Sequence, residues 1–383
     1  MSKKVAIMGL NSLNNYGEKF IIKCVEHLLT DLEYTYFTID FETKMGFVKT
    51  SFYYLIIGFS KIVPLNELKY KIIYFAVKFR CYSEYLKQLN DKDALIFAAG
   101  SFKYGTQKLW CHYSLAIEIA EKYGIPVMFN AMNLQKYNEN DWRCRFLKKH
   151  VNYNCVKVFT TRDGEDGVIR FSQEYNTREK VQCSAVGDVA FWISDCYQVS
   201  MTEENDTIGI NLINGNIFKR YGGKLTKEQL LDVYLRLLKL LDQHNQSWEL
   251  YTNGLNCDYK FGEKLLRKYG NTNIEIKVPE SDQELVHMIS KYKKIIASRL
   301  HSCICAYAIG KPFVGFIWDE KVLHFSKMAK IEDCFIYENE LSGNILFERL
   351  MVKEIELTKS QIDIREMWKS QTKEKISYFL ELC

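Results

Sequence analysis

Proline is scarce in this 383-residue chain, at four residues, and the 12 cysteines are scattered without a single CxxC pair. So little proline, beside 20 glycines, leaves no room for a proline-rich or low-complexity linker. The missing CxxC spacing excludes a zinc site of that type and a redox dithiol. No HExxH motif, paired Cys/His or carboxylate cluster points to a metal, and no GxGxxG pattern or Walker lysine points to a dinucleotide or P-loop ligand, so neither a metal nor another cofactor is expected. GxSxG is absent as well, which argues against an α/β-hydrolase. No charge-free run, 50–60 and 300–310 among them, comes near the ~20 residues of a membrane-spanning helix. The apolar stretch 5–9 is too short for a signal-peptide core. Charge of one sign is also in short supply: 52 Lys and Arg stand against 47 Asp and Glu, a net +5, with no basic block of five. A nucleic-acid partner is therefore not expected.

What is present is the composition of a soluble globular protein, with 47% hydrophobic and 26% charged residues. The 23 Phe, 25 Tyr and 6 Trp exclude global disorder, and the length suggests about two domains. Thiols in apolar strings such as Ser302-Cys303-Ile304-Cys305-Ala306 read as small buried hydrophobes of a protein in the reducing cytoplasm.

Apolar runs and helical periodicities alternate along the chain. Residues 5–9 read as a strand, a polar loop follows, and a helix begins near Glu18. The cycle returns with strand 94–100, helix 109–123, strand 126–130, helix 141–150 and strand 155–160, and a last strand, 186–192, closes this half. It restarts with strand 207–212, helix 227–244, strand 248–253, helix 258–269 and an extended segment 273–278. Helix 281–291, strand 294–297, helix 300–310 and strand 312–317 complete it. Two such series predict an α/β protein of two Rossmann-type parallel-sheet domains, 1–200 and 207–350, followed by an amphipathic helix over 360–383. The first domain carries an insertion at about 47–85, where Phe52, Tyr53, Tyr54, Leu55, Ile56, Ile57, Phe59, Tyr70, Ile72, Ile73, Tyr74, Phe75 and Phe79 are interleaved with Lys61, Lys69, Lys71, Lys78 and Arg80. Such a segment is either one or two core helices or a face for peripheral membrane association, and periodicity does not separate the two.

In open parallel sheets, ligands bind beyond the carboxyl ends of the strands, so polar groups in those loops matter most. Ser298-Arg299-Leu300-His301 follows a strand and opens an apolar helix. Helix-start N–H groups favour an anion, the arginine adds a fork for carboxylate or phosphate, and a histidine beside a bound anion is suited to donate a proton. The alternative is that both residues cap the helix and pair with an acidic neighbour. Arg162 places a second guanidinium in a crevice loop, unless it serves a structural pair with Asp163. Lys321 offers a further positive charge or is simply solvated. Asn14, Asn15 and Gly17 of the first loop, Gly100 and Ser101 of a small-residue loop, and Asn253 suit a saccharide acceptor, although plain turns use the same residue types.

Taken in order, several blocks resemble those of the polysaccharide pyruvyl transferase family. They are Asn15-Tyr16-Gly17-Glu18, the 93–102 segment, Thr161-Arg162-Asp163, Gly187-Asp188-Val189-Ala190-Phe191 and Tyr251-Thr252-Asn253-Gly254. Ser298-Arg299-Leu300-His301, Gly310-Lys311-Pro312-Phe313 and Trp318-Asp319-Glu320-Lys321 carry the C-terminal part of the resemblance. The resemblance implies a GT-B-like fold with the active site in the cleft between its domains. It also implies transfer of a pyruvyl group from phosphoenolpyruvate, a co-substrate rather than a cofactor, to a sugar of a cell-surface or exopolysaccharide precursor. That acceptor is either free or lipid-linked, and the enzyme is cytoplasmic or peripheral at the inner face of the membrane. His301 would be the catalytic acid, and Arg299, Arg162 and Lys321 would hold the donor. Ala98-Ala99-Gly100 stands where the family usually has a glycine run, a departure that bears on the acceptor pocket. Two other readings stay open: a nucleotide-sugar-dependent GT-B glycosyltransferase, and a non-catalytic scaffold in polysaccharide assembly.

Overall fold

A computed structural model of the chain describes residues 3–11, 15–41, 47–64, 67–105, 108–177, 179–199, 205–352 and 357–383. The chain forms two compact units. One consists of Met1–Ser12, Ile21–Val186 and Gln371–Cys383, the other of Leu13–Phe20 and Gly187–Ser370.

The first unit contains β1 (Lys4–Gly9), most of α1 (Tyr16–Asp31), β2 (Thr35–Asp40), α2 (Phe47–Ser60), α3 (Glu67–Leu89), β3 (Ala94–Phe97) and β4 (Ser101–Phe102). It continues with α4 (Leu109–Tyr123), β5 (Val127–Leu134), α5 (Trp142–Val151), β6 (Val156–Thr161), α6 (Gly164–Arg170) and β7 (Gln182–Ala185). The sheet order is β2-β1-β3-β5-β6-β7, with β4 pairing β5, and the pairings are parallel. β3 and β5 are buried along their whole length, which is why 94–97 and 127–129 read as continuous apolar runs rather than as alternating ones. Helix α4 has the span expected from its periodicity. It stops at Gly124, whose positive φ of 68° no β-carbon opposes and whose N–H donates to the Ala120 carbonyl.

Two of the differences from the sequence expectation concern this unit and its boundary. β2 was not foreseen, although Thr35-Tyr36-Phe37-Thr38-Ile39 is the β-branched and aromatic composition that favours a strand. Segment 186–192 is not a strand. β7 takes the last place in the sheet, and Val189–Trp192 forms a 3₁₀ turn because the Asp188 carboxylate accepts the Ala190 N–H at 3.0 Å. The aromatic insertion is a pair of helices, α2 and α3. One face of α3 is core: Ala76, Val77, Cys81, Tyr85 and Leu89 are buried. On the same helix Tyr74 packs on Phe146 of α5, with ring centroids 4.7 Å apart.

The second unit contains α7 (Ile193–Cys196), β8 (Ile208–Asn211), α8 (Asn216–Arg220), α9 (Lys227–Gln243), β9 (Trp248–Tyr251), α10 (Asn256–Tyr269), β10 (Ile276–Lys277) and α11 (Asp282–Lys291). β11 (Lys294–Ala297), α12 (Leu300–Ile309), β12 (Phe313–Ile317), α13 (Glu320–Met328), β13 (Phe335–Tyr337) and α14 (Gly343–Val352) follow. The sheet order is β10-β9-β8-β11-β12-β13, again parallel. Thr226 starts α9 with a capping box closed by Gln229, so the longest apolar stripe of this unit begins at a fixed point. Residues 187–199 belong to this unit, with Phe191 edge-on to Tyr307 of α12 at 5.3 Å. The final helix, α15 (Lys359–Glu381), is shared between the units. In the second, Lys369 pairs with Asp195 at 2.8 Å. In the first, Lys373 pairs with Asp31, and Ile376, Phe379 and Leu380 are fully buried.

Candidate active site

Because β9, β8, β11 and β12 lie side by side and parallel, their carboxyl ends bring Thr252-Asn253, Asn211, Ser298-Arg299 and Trp318 together in the second unit. A buried polar network fixes these ends. Asn211 donates through Nδ2 to Asn253 Oδ1 at 2.8 Å, and its Oδ1 accepts the Arg299 N–H at 3.0 Å. Ser302 Oγ donates to the same Asn253 oxygen at 3.1 Å, and Trp318 Nε1 donates to the Ser298 carbonyl at 2.7 Å. Tyr234 of α9 donates to the Asn211 carbonyl at 3.0 Å. Such satisfied networks hold a loop in one arrangement. Asn253, expected to meet an acceptor, is buried and spends its side-chain oxygen on this framework.

Arg299 sits in extended backbone directly before α12. Its guanidinium forms a side-on bidentate pair with Asp258 of α10, Nε at 2.9 Å and Nη2 at 2.6 Å, and Asp258 is fully buried. Asp258 Oδ1 also accepts the Asn214 N–H at 2.8 Å. The acidic neighbour is therefore real, and it holds one edge of the guanidinium while leaving the Nη1 edge for a ligand. No motif announces Asp258; its only signal is an acidic residue in the first turn of a helix, a position that ordinarily serves the helix dipole.

His301 lies in the first turn of α12, half-buried. A β-carbon built on Gly17 would stand 2.2 Å from its Nδ1 and 2.5 Å from its Cγ, so the imidazole rests on bare backbone. Residues 13–20 belong to this unit. The Tyr16 hydroxyl donates to the Pro279 carbonyl at 2.8 Å, and the Tyr16 N–H to the Asn253 carbonyl at 3.4 Å. Asn15 accepts the Glu18 N–H at 3.1 Å through its carbonyl, whereas Asn14 lies outside the described residues. The structure thus unites Asn15, Gly17, Asn253, Arg299 and His301.

Lys321 Nζ lies 5.0 Å from the Trp318 ring centroid, 5.6 Å from that of Tyr221 and 3.5 Å from the Asp319 carboxylate. Burial, and then the Asp319 charge, push the Tyr221 phenol upward, so it stays protonated as a donor. Beside these residues opens a cavity of about 760 Å³ lined by Tyr221, Trp318, Asp319, Glu320, Tyr337 and Glu338, among others. Ring faces with carboxylates suit a polar, uncharged ligand carrying several hydroxyls better than an anion.

The remaining expected residues lie at the strand ends of the first unit. Gly100, at a φ of +61°, offers its carbonyl to Arg162 Nη2 at 2.8 Å and to the Asn133 N–H at 3.1 Å. The Asp163 carboxylate accepts from Asn133 Nδ2 at 2.8 Å and the Leu134 N–H at 2.7 Å. Ser101 receives the Tyr113 hydroxyl on its carbonyl at 2.7 Å.

The profile of the polysaccharide pyruvyl transferase family matches residues 15–320, from the Asn15 loop through the Arg299–His301 motif. The chain belongs to the polysaccharide pyruvyl transferase family. No curated protein matches it by sequence. Solved structures nonetheless resemble this family member over its whole length. UDP-GlcNAc 2-epimerase from Neisseria meningitidis, bound to UDP-GlcNAc, is 13% identical, with 100% of both chains covered and a TM-score of 0.55. The UDP-GlcNAc 2-epimerase from Methanocaldococcus jannaschii is 10% identical, covering 99% of this chain and 100% of that one, with a TM-score of 0.61. The α,α-trehalose 6-phosphate synthase from Burkholderia multivorans is 10% identical, covering 98% and 93%, with a TM-score of 0.52. At such identities the likeness concerns the fold alone, and the fold of this pyruvyl transferase family member is GT-B-like.

Proposed function

We propose that the protein transfers the pyruvyl group of phosphoenolpyruvate to two hydroxyls of a sugar in a polysaccharide precursor, forming a ketal and releasing phosphate. The observation that carries this reading is the pairing, inside the family match, of His301 with Arg299 at the start of α12. In this reading the donor's anionic groups meet the Nη1 edge of Arg299, the first-turn N–H groups of α12 and Lys321. His301 protonates the methylene carbon, leaving an oxocarbenium-like centre at the neighbouring carbon. One acceptor hydroxyl adds to that centre and its proton restores the imidazolium. A second hydroxyl then displaces phosphate from the same carbon, and its proton leaves with the phosphate. The aromatic and carboxylate-lined cavity beside Trp318 is the proposed seat of the sugar.

A nucleotide-sugar glycosyltransferase is the competing activity, favoured by the GT-B-like fold alone. Phosphate release from phosphoenolpyruvate across a panel of glycans, with UDP-sugars as controls, tests the two together. His301→Ala should lower turnover about 10²–10⁴-fold, the usual worth of a general acid, with the donor KM changed far less. Release of UDP from a UDP-sugar with no phosphate from phosphoenolpyruvate would reject the proposal.

A further inference from the structure

The α2–α3 hairpin turns one face to the core and another to solvent. On the outer face Phe52, Leu55 and Phe59 follow one another at helical spacing, and Ile62 continues the row; Leu55 is 69%, Phe59 58% and Ile62 82% exposed. Leu68, Phe75 and Phe79 form a second exposed row on α3, and the Phe79 ring lies 5.0 Å from that of Phe52, joining the rows. Eight of the 19 exposed large apolar side chains among the described residues fall between positions 52 and 79, so the exposure is concentrated there. Charge is concentrated there too. Residues 47–80 hold six Lys and Arg against one acid, Glu67. Removing them from totals of 52 and 47 leaves 46 of each sign, so this hairpin carries the whole positive excess of the chain.

We propose that this face docks on a membrane surface rich in anionic phospholipid. Apolar side chains of this kind gain by entering the acyl boundary, and basic residues around them select anionic headgroups. No helix among the described residues is long and apolar enough to cross a membrane, so the hairpin would lie along the interface. A second copy of the chain would satisfy the apolar face, but two faces of like charge would then be brought together. The inference stands on the hairpin and does not rest on pyruvyl transfer.

Co-sedimentation of the full chain with phosphatidylcholine vesicles, with and without phosphatidylglycerol, tests it, beside analytical ultracentrifugation in the absence of lipid. Binding should require phosphatidylglycerol. It should fall about tenfold or more in Leu55→Ser/Phe59→Ser, and likewise in Lys61→Glu/Lys71→Gln. All four positions are exposed, and unchanged thermal melting verifies the fold of the variants. The proposal is overturned if the wild type ignores anionic vesicles or if the variants bind as it does. It is equally overturned by a dimer that Leu55→Ser/Phe59→Ser dissociates, since a second copy would then own the face.

Discussion

Replacing Gly17 with alanine should displace His301, and the distances set the scale of the effect. The new β-carbon would lie 2.2 Å from Nδ1, 2.5 Å from Cγ and 2.8 Å from Cβ of the histidine. Comfortable separations are about 3.5–4.0 Å, so the overlap exceeds what small angular adjustments absorb. Alanine in a helix gains about 0.8–1.0 kcal/mol over glycine, which opposes the overlap. Overpacking in a tight site costs about 1–3 kcal/mol, so the overlap offsets that gain and leaves a net destabilisation of up to about 2 kcal/mol. His301→Ala removes the two shortest of these three contacts and keeps the one to Cβ. In that background the cost of Gly17→Ala should therefore shrink by about 1–2 kcal/mol. Urea unfolding of the four members of the cycle measures the coupling. Phosphate release from phosphoenolpyruvate measures the functional side, where Gly17→Ala alone should approach the loss caused by His301→Ala. Additivity within about 0.5 kcal/mol would refute the seating of the imidazole on Gly17.

Asp258→Asn leaves the Arg299 charge without its buried partner. It should cost about 3–5 kcal/mol in urea unfolding and raise the donor KM as the guanidinium loses its fixed edge; an unchanged KM would mean that the pair does not position Arg299 for the donor. Acid should weaken the first unit. Burial, then Arg80 and Lys108, hold His112 down at about 3, so the unfolded chain takes up a proton below about 6.5 that the folded one refuses. Stability is then fully present above about pH 6.5 and declines toward pH 3, and His112→Gln should flatten that decline in unfolding curves. Burial would raise Glu118, but hydrogen bonds from His150 and Lys78 outweigh it and hold the group at about 2, so its contribution is lost as pH falls from about 4.5 toward 2. Glu118→Gln should remove that lower arm alone.

The parallel sheets were legible because β3, β5 and β12 carry buried apolar runs punctuated by glycine or polar loops, and α4 and α9 have strong helical periodicity with clear ends. β2 escaped because its burial is mostly partial and its sequence mixes threonine and tyrosine with few aliphatics. Segment 186–192 misled because its apolar residues fit a strand equally well, and only the Asp188 cap bends the backbone into a turn. The neighbourhood of Arg299 and His301 could be found from motifs, since strand ends of a parallel sheet converge by topology. Its inner framework could not. Asn211, Asp258 and Ser302 act through distances across the sheet, and local sequence contains no record of those distances. The dual nature of 47–85 was likewise beyond periodicity: buried Tyr53 and exposed Tyr54 are neighbours in sequence with opposite surroundings.

Ion pairing and anion binding look like alternatives for Arg299 when the residue is read as a point charge. They are compatible once its shape is considered. Asp258 takes the Nε–Nη2 edge with both carboxylate oxygens, and one of those oxygens also receives the Asn214 N–H. A guanidinium held in this way has little local net charge to offer, so its attraction for an anion falls below that of a bare arginine. In exchange, the remaining edge points in one direction without the rotamer entropy a free side chain would lose on binding. The balance of positive charge then has to come from the N–H groups that begin α12 and from Lys321, itself moderated by Asp319. A site built from several partly neutralised donors favours a ligand by direction more than by gross charge. It discriminates among anions by the spacing of their oxygens, which is the property the proposed reaction needs to orient its donor beside a histidine that must reach one particular carbon.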